Sequence, residues 1–222
     1  MKGMNKMKVV EIFESIDGEG IRTGLPVTFI RLFGCNLRCS YCDTMYALEG
    51  KNYTEMAIED IMNKVKQLNH KAITLTGGEP LIHKDVSLLI RELTSQNYRV
   101  NIETNGAVDI SPYVGKRNTI ITLDYKCPSS GMEDKMLLDN LNLVKIKDVV
   151  KFVVGSKEDL EKTKKIIWDY ELQAKTNVFI SPIFGEIEPK EIVEFMLANH
   201  LDNVKVQLQL HKMIWDPNMK GV

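Results

Sequence analysis

Short apolar runs with strand character alternate along this chain with segments whose apolar residues recur at helical spacing. Repeated strand–helix units of this kind form a parallel sheet with right-handed crossovers. About six such units are too few to close an eight-stranded barrel. The sequence therefore predicts an α/β fold, an incomplete parallel β/α barrel of about six strands. The strand-like runs cover residues 27–33, 72–76, 99–103, 119–123, 148–154, 177–180 and 204–208.

Helical periodicity is clearest after residue 57 and after residue 85. The predicted buried positions of these two helices are Ile58, Ile61, Met62, Val65, Leu68, Val86, Leu89, Ile90 and Leu93. Ser156 fits the N-cap of a third helix, with Asp159 three residues further on. Pro189 fits the first turn of a fourth helix. The inward face of that helix is expected to carry Ile192, Val193, Met196 and Leu197.

Size and composition are those of one soluble domain, which we expect to span residues 1–222. Hydrophobic residues make up 44% of the chain and charged residues 27%, and the net charge of −1 creates no basic field for nucleic acid. No apolar run approaches the length of a membrane span, and the basic first eight residues lack the apolar core of a signal peptide. Reduced cysteines and no signal peptide indicate a cytoplasmic protein.

Three closely spaced cysteines, Cys35, Cys39 and Cys42, directly follow the first predicted core strand. Their C-x3-C-x2-C spacing places three thiolates on one tight loop. Three thiolates can ligate three irons of a [4Fe–4S] cluster and leave the fourth iron open. An open iron is what a cluster needs in order to bind and reduce another molecule. The spacing therefore indicates chemistry rather than electron storage alone.

Other readings of the cysteines are possible. A structural zinc site needs four ligands, and neither His70 nor His83 has a spacing that favours it as the fourth. A disulfide framework is not expected in a chain of 222 residues with four cysteines, three of them crowded together. The fourth cysteine, Cys127, is expected to be a small buried hydrophobic residue.

A glycine-rich turn, Thr-Gly-Gly-Glu-Pro at residues 76–80, is the second motif, and it follows the next predicted strand. In parallel α/β folds the functional loops follow the carboxyl ends of strands. Gly77 and Gly78 allow backbone groups to approach a ligand closely, and Glu79 can pair with a cation. Alone, this turn is a weak signal, but one strand–helix unit after the cysteines it becomes a strong one.

With both motifs present, the chain resembles the radical S-adenosylmethionine (SAM) enzymes. The resemblance implies that the methionine part of SAM chelates the open iron and that the Gly-Gly-Glu-Pro turn receives its amino group. It also implies that one electron from the cluster cleaves SAM to a 5′-deoxyadenosyl radical, which abstracts hydrogen from a substrate.

Further segments resemble one family within this group, the 7-carboxy-7-deazaguanine synthases. They are an apparent loop with Gly-Glu-Gly at residues 12–20, the pair Asp43 and Thr44 after the third cysteine, and Gln-Leu-His at 209–211. The resemblance covers essentially the whole chain. It implies conversion of 6-carboxy-5,6,7,8-tetrahydropterin to 7-carboxy-7-deazaguanine with loss of ammonia, as part of queuosine biosynthesis.

The resemblance also implies roles for individual residues. Cys35, Cys39 and Cys42 would ligate the cluster, and Thr44 would ligate Mg²⁺. The residues expected to bind SAM are Tyr41, Cys42, Asp43, Gly78, Asp124, Tyr125, Lys126, Ser181, Pro182, Ile183 and Phe184. Relatives often have Ser-Pro-Lys where this chain has Asp124, Tyr125 and Lys126, and Gln where it has Ser181.

The residues expected to bind the pterin are Ile16, Asp17, Gly18, Arg31, Thr76, His211 and the terminal carboxylate of Val222. The Arg31 guanidinium would suit the substrate carboxylate bidentately, although an ion pair with a nearby acid is the alternative. Relatives usually have Gln at Asp17, whose carboxylate could still accept hydrogen bonds from pterin N–H groups.

Two other function classes compete with this one. An activating enzyme for a glycyl-radical protein shares both motifs but would need a protein partner and no magnesium; the Gly-Glu-Gly run, Thr44 and His211 argue against it. A non-catalytic iron–sulfur or zinc module is disfavoured by the Gly-Gly-Glu turn. The family resemblance also implies a homodimer, and flavodoxin or ferredoxin is the expected electron donor.

Overall fold

The computed structural model describes residues 6–216 and 219–221. Its strands are β1 (Lys6–Ile16), β2 (Pro26–Leu32), β3 (Thr54–Ala57), β4 (Ala72–Gly77), β5 (Arg99–Thr104), β6 (Thr119–Lys126), β7 (Val149–Val154), β8 (Asn177–Pro182) and β9 (Val204–Val206). Its α-helices are α1 (Ile58–Leu68), α2 (Val86–Ser95), α3 (Asn140–Leu143), α4 (Lys157–Asp169), α5 (Leu172–Lys175), α6 (Pro189–Ala198) and α7 (Leu210–Ile214).

All the strands belong to one sheet with the order β3-β1-β2-β4-β5-β6-β7-β8-β9. From β2 to β9 every neighbouring pair is parallel, which gives seven parallel strands. β1 pairs antiparallel with β2 and with β3 at one edge. In the part of the chain described here the first and last strands of this order do not pair, so the barrel is open. The predicted incomplete parallel barrel is confirmed.

The antiparallel edge is where the sequence prediction was wrong. Residues 12–16 were expected in a loop, but they are the end of the eleven-residue strand β1. The loop begins only at Asp17 and returns to β2 at Pro26. β3 was not predicted either, because its four residues alternate poorly between apolar and polar. β9 ends at Val206, two residues earlier than expected.

Helix capping follows the sequence signals. Ser156 accepts the backbone N–H of Asp159 at 3.2 Å and caps α4. Pro189 occupies the first turn of α6. The expected inward face of α6 is only partly correct, since Ile192 is buried but Leu197 is 72% exposed. Val193 is exposed as well, and α6 packs mainly on β8 and β9 at the end of the sheet.

The core lies between the sheet and the helices that cover its outer face. Alternate residues of β4 and β5 supply it, such as Ile73, Leu75 and Ile102. The opposite face of the same strands is polar, and there the Thr122 hydroxyl donates to Oδ1 of Asn101 at 2.8 Å. The inside of the open barrel is therefore polar near the site. No helix in the described residues is long and apolar enough to cross a membrane.

Candidate active site

A cavity of about 540 Å³ opens at the carboxyl edge of the parallel strands. Its walls are the cysteine loop after β2, the ends of β4 to β8, the loop after β1 and the C-terminal segment from residue 209. Loops after successive parallel strands converge at one edge, so residues far apart in sequence share this space. The cavity is the candidate active site.

The three cysteines of the motif all line this cavity as free, partly exposed thiols. Their loop is held from two sides. The Ser40 hydroxyl donates to the carbonyl of Ser129 at 2.6 Å, and Asn36 donates to the carbonyl of Ala107 at 3.4 Å. Cys35 Sγ accepts a hydrogen bond from Asn105 Nδ2 at 3.5 Å. Thus the loop presents its thiols to the cavity while neighbouring turns fix its backbone.

The two histidines considered as a fourth zinc ligand, His70 and His83, make other contacts. Within the described residues, no group of three or more His, Cys, Asp or Glu side chains could hold a single metal ion. His70 lies 3.2 Å from Glu14, and His83 contacts the carbonyl of Phe33 at 2.9 Å. Neither histidine joins the cysteines. Cys127 is buried, as expected, with its Sγ 3.5 Å from the Thr163 hydroxyl.

The Gly-Gly-Glu-Pro turn packs directly on the cysteine loop. A Cβ at Gly78 would lie 2.3 Å from the carbonyl oxygen of Gly34 and 2.8 Å from Cβ of Cys35. The next amide, Glu79 N–H, donates to the same Gly34 carbonyl at 2.8 Å. Only glycine at residue 78 permits this approach. The close contact brings backbone groups of the turn to the edge of the cluster loop.

The Glu79 side chain does not line the cavity, so the expectation that it pairs with a cation is wrong. It is fully buried and accepts hydrogen bonds from the amides of Leu81 at 2.9 Å and Asn105 at 2.6 Å, and from the Thr104 hydroxyl. Burial raises its pKa to about 7, although these hydrogen bonds oppose the shift. Glu79 therefore anchors the turn to the end of β5.

Most of the residues expected to bind SAM line the cavity. They are Tyr41, Cys42, Asp43, Gly78, Asp124, Lys126, Pro182, Ile183 and Phe184. Tyr125 was also expected to bind SAM, but this prediction is wrong for its side chain. The side chain points to the opposite side of β6 from Asp124 and Lys126. Its ring packs on Phe152 with centroids 5.3 Å apart, and its hydroxyl contacts Glu133 at 3.2 Å.

Ser181 is the second residue that was expected to bind SAM but does not line the cavity. It is buried, and its hydroxyl donates to Oε1 of Glu19 at 3.2 Å. The side chain therefore supports another residue of the site instead of facing a ligand.

Two buried polar atoms of the lining residues fit a polar ligand. The Tyr41 hydroxyl and Oδ1 of Asp124 are buried, and neither has a hydrogen-bond partner within the described residues. Buried polar atoms are normally paired, so both atoms are suited to a ligand that brings donors. SAM carries an ammonium and two ribose hydroxyls that can supply them.

Most of the residues expected to bind substrate also line the cavity, namely Ile16, Gly18, Arg31, Thr76 and His211. Arg31 donates from Nε to Oε1 of Glu11 at 2.7 Å, and the Tyr46 hydroxyl donates to the same oxygen at 2.8 Å. The predicted alternative, an ion pair, is therefore present. This pair orients the Arg31 guanidinium at the cavity wall.

Asp17 does not line the cavity, so its carboxylate is not placed to accept from a ligand there. It is 2% exposed. Its Oδ2 accepts from Arg22 Nε at 2.6 Å, and its Oδ1 accepts from the Thr74 hydroxyl at 2.5 Å. Burial raises its pKa, while the charge of Arg22 and both hydrogen bonds act against that shift.

Thr44 and Asp43 form a small oxygen-rich group on the cavity wall. The Thr44 hydroxyl donates to Oδ1 of Asp43 at 2.7 Å, and Lys212 Nζ lies 3.6 Å from Oδ2. Burial acts to raise the pKa of Asp43, but the hydrogen bond from Thr44 and the charge of Lys212 outweigh it and lower the pKa. Asp43 thus carries its negative charge beside Thr44.

Comparisons with known proteins agree with this geometry. The protein-family model described as "Radical SAM superfamily" matches residues 29–113 of this chain. A curated 7-carboxy-7-deazaguanine synthase of Clostridium acetobutylicum is 46% identical over 97% of this chain and 99% of its own length. The chain belongs to the 7-carboxy-7-deazaguanine synthase family. Relatives of the same name from Leptospira interrogans and Methanospirillum hungatei are 38% and 41% identical, covering 98% and 95% of this chain and 98% and 86% of their own lengths.

Solved structures support the fold. QueE from Escherichia coli superposes with a TM-score of 0.76 at 24% identity, over 93% of this chain and 95% of that one. SuiB from Streptococcus suis, bound to its precursor peptide, superposes with a TM-score of 0.60 at 12% identity. The match covers 82% of this chain and 48% of the SuiB chain. As a member of the 7-carboxy-7-deazaguanine synthase family, the chain is a radical SAM enzyme, and this superfamily uses a [4Fe–4S] cluster and SAM.

Sequence reasoning missed three charged residues at the cavity of this family member, namely Lys151, Glu19 and Glu103. Lys151 Nζ lies 3.0 Å from Oε2 of Glu19 and 3.5 Å from Oδ2 of Asp124. Glu103 lines the same space and accepts a hydrogen bond from the side chain of Thr76. One signal for Lys151 was available, because it is the charged residue in the otherwise apolar strand Val149–Val154.

The C-terminal segment closes over the loop that follows β1. A Cβ at Gly18 would lie 2.1 Å from Nδ1 of His211, and the Leu210 amide donates to the carbonyl of Gly18 at 3.1 Å. Further along, Lys220 Nζ stacks 4.3 Å from the centroid of the Tyr46 ring. The predicted terminal carboxylate, Val222, lies outside the described residues. His211 is thus held at the cavity by backbone contacts.

Proposed function

We propose that this chain converts 6-carboxy-5,6,7,8-tetrahydropterin to 7-carboxy-7-deazaguanine, with loss of ammonia, in queuosine biosynthesis. The observation that carries the proposal is one cavity shared by the cysteine motif, the Gly78 turn and the Arg31 guanidinium. The full-length similarity to curated 7-carboxy-7-deazaguanine synthases supports the same product. The reaction needs no external oxidant or reductant overall, because the atoms of the pterin are those of the product plus one molecule of ammonia.

On the cluster side, Cys35, Cys39 and Cys42 are the proposed ligands of the [4Fe–4S] cluster. When bound, the cluster and SAM together supply the carbon radical that starts the reaction. The backbone at Gly78 would hold the SAM amino group, and the unpaired oxygens of Tyr41 and Asp124 would accept from its polar groups. The remaining proposed contacts are Asp43, Lys126, Pro182, Ile183 and Phe184.

On the substrate side, the terminal nitrogens of Arg31 would hold the pterin carboxylate. The Glu11 contact uses Nε, so the outer edge of the guanidinium can still form a bidentate pair. Thr44 and Asp43 would hold Mg²⁺, which prefers oxygen ligands and keeps several waters. Two protein oxygens are therefore enough for this ion.

The pterin ring would lie against the N-terminal loop and the C-terminal segment. Ile16 contributes from the end of β1, Gly18 from the loop that follows it, Thr76 from the end of β4 and His211 from α7. Asp17 would contribute only through its backbone, since its carboxylate is already paired. The carboxylate of Val222 remains a proposed contact. A closed cavity is required because a carbon radical reacts with unintended partners unless it is enclosed and positioned.

The remaining features of the proposal concern the protein as a whole. Residues 1–222 would act as one domain, which assembles as a homodimer in the cytoplasm. Flavodoxin or ferredoxin would deliver the electron to the cluster. These statements rest on the family and on the sequence composition.

The carboxylate requirement tests the function. Anaerobic protein with its cluster reconstituted is given SAM, Mg²⁺, a reductant and either the carboxytetrahydropterin or a tetrahydropterin that lacks the carboxylate. Only the first should form a deazapurine. Arg31→Met should raise KM for the carboxylated pterin about 10–100-fold, because charge-assisted hydrogen bonds contribute about 1.5–3 kcal/mol. Arg117→Met, at an exposed position, is the matched control. Equal turnover of both pterins contradicts the proposal.

A further inference from the structure

Lys151 occupies an unusual position for a lysine. It lies in the interior strand β7, its side chain is only 12% exposed, and it reaches carboxylates that come from two other elements. A buried ammonium needs partners that compensate for its lost hydration. Here Glu19, from the loop after β1, lies 3.0 Å away and Asp124, from β6, lies 3.5 Å away.

The two partners come from different parts of the cavity wall, the loop after β1 and strand β6. Asp124 is ion-paired with Lys126 at 2.9 Å, and the charges of both residues act on Cys39. Glu19 belongs to the loop after β1, and its charge acts on His211 of the C-terminal segment. Lys151 is therefore placed between the cluster side and the C-terminal side of the site.

In each partner the contact with Lys151 leaves room for a ligand. Asp124 uses Oδ2 for its lysine partners, and its buried Oδ1 has no partner within the described residues. Glu19 receives Lys151 on Oε2 and Ser181 on Oε1. Each carboxylate oxygen can accept more than one hydrogen bond, so Glu19 can accept from a ligand while both protein contacts remain.

We propose that Lys151 is a positioning residue for both ligands, because it fixes Asp124 for SAM and Glu19 for the N–H groups of the pterin. The pterin half of this statement rests on the proposed function. Pterin rings carry adjacent ring N–H and amino donors, which a fixed carboxylate can accept together.

The charge distribution shows why one lysine can support two sites. Glu19, Glu103 and Asp124 all act electrostatically on Lys151. Without it, these three partly buried carboxylates would lose the cation that they share. Like charges in a poorly hydrated space repel or take up protons. Both Glu19 and Asp124 would then leave the positions that their ligands need.

The test is equilibrium binding of each ligand to the reconstituted protein under anaerobic conditions. Lys151→Met keeps the length of the side chain and removes its charge, and it should weaken SAM and the carboxytetrahydropterin at least tenfold each. Lys151→Arg should restore both affinities to within about threefold of the wild type, since the charge is kept. Lys190→Met, at a lysine with 82% exposed side chain, should change neither.

Single substitutions of the partners separate the two sides and do not depend on the folding of Lys151→Met. Asp124→Asn should weaken SAM tenfold but the pterin less than threefold, and Glu19→Gln should do the reverse. In the Asp124→Asn background, removing Lys151 should weaken SAM by less than a further threefold. Loss of one ligand only, or of neither, in Lys151→Met contradicts the inference. If wild-type protein fails to bind the pterin at all, the proposed function fails instead.

Discussion

Arg22 donates from Nε to Oδ2 of Asp17 at 2.6 Å beneath the cavity, and both side chains are nearly buried. The same guanidinium donates to the carbonyls of Ile73 at 3.1 Å and Arg99 at 3.2 Å. These carbonyls belong to β4 and β5, so the pair fastens the loop after β1 to two parallel strands. That loop carries Gly18, which faces the site.

Removing Arg22 should therefore destabilise the protein strongly. Arg22→Met leaves the Asp17 carboxylate buried without its cation, which costs about 3–5 kcal/mol. Asp17→Asn should cost less, because the Arg22 guanidinium that loses its anion keeps its hydrogen bonds to the Ile73 and Arg99 carbonyls and to the Thr74 hydroxyl. Urea denaturation followed by tryptophan fluorescence measures both values. A smaller loss for Arg22→Met than for Asp17→Asn contradicts the assignment of this pair.

Glu79 should make stability depend on pH in a defined window. Its pKa is about 7 in the folded protein and near 4.5 in the unfolded chain. A carboxyl with a raised folded pKa stabilises fully below pH 4.5, and this contribution is lost as the pH rises through about 7. Across that window the wild type should lose up to about 3 kcal/mol relative to Glu79→Gln. Denaturation midpoints of both proteins between pH 4 and 8 measure the difference; parallel curves exclude a neutral buried Glu79.

Gly78→Ala should abolish SAM binding. The new Cβ would lie 2.3 Å from the Gly34 carbonyl oxygen, so the turn must move away from the cysteine loop. We expect SAM affinity to fall at least 100-fold, measured by equilibrium dialysis of the reconstituted protein. Gly50→Ala is the control. Gly50 has a left-handed backbone with open space around it, so the substitution should cost only about 1 kcal/mol of backbone strain. Unchanged SAM affinity in Gly78→Ala would contradict the role of this turn.

Cys39→Ala should remove the cluster. Anaerobically reconstituted protein should lose its brown colour and most of its iron, since two thiolates do not hold a cubane cluster stably. Cys127→Ala should keep both, because Cys127 is buried away from the cavity against Thr163. Iron content and the visible absorption of the two variants give the comparison. Retained iron in Cys39→Ala means that the motif is not the ligand set.

Local patterns predicted the parallel strands and the cavity motifs well. Strands such as β4 and β7 are short, mostly apolar runs, which is typical of strands that a parallel sheet buries on both faces. The cysteine loop and the Gly78 turn follow successive strands, so topology alone places them at one edge. The Ser156 cap is likewise a local signal, which needs only residues three positions apart.

Two of the errors, at Asp17 and Glu79, have a common physical cause, which is a partner distant in sequence. Asp17 is turned from the cavity by Arg22 and by Thr74, which lies 57 residues away. Glu79 is turned inward by Thr104 and Asn105. Such contacts exist only after the strands have aligned, so no pattern near these residues indicates them. Lys151 carried a local signal, as the charged residue of an apolar strand, but its partners come from two other elements, which that signal does not indicate.

The most direct test of the account is the reaction itself. Protein with its cluster reconstituted is incubated anaerobically with SAM, Mg²⁺, a reductant and 6-carboxy-5,6,7,8-tetrahydropterin, and the products are followed by mass spectrometry and an ammonia assay. We predict 7-carboxy-7-deazaguanine and ammonia in equal amounts, formed only when both the cluster and SAM are present. If protein that holds its cluster and binds SAM consumes no pterin and forms no deazapurine, the account is contradicted.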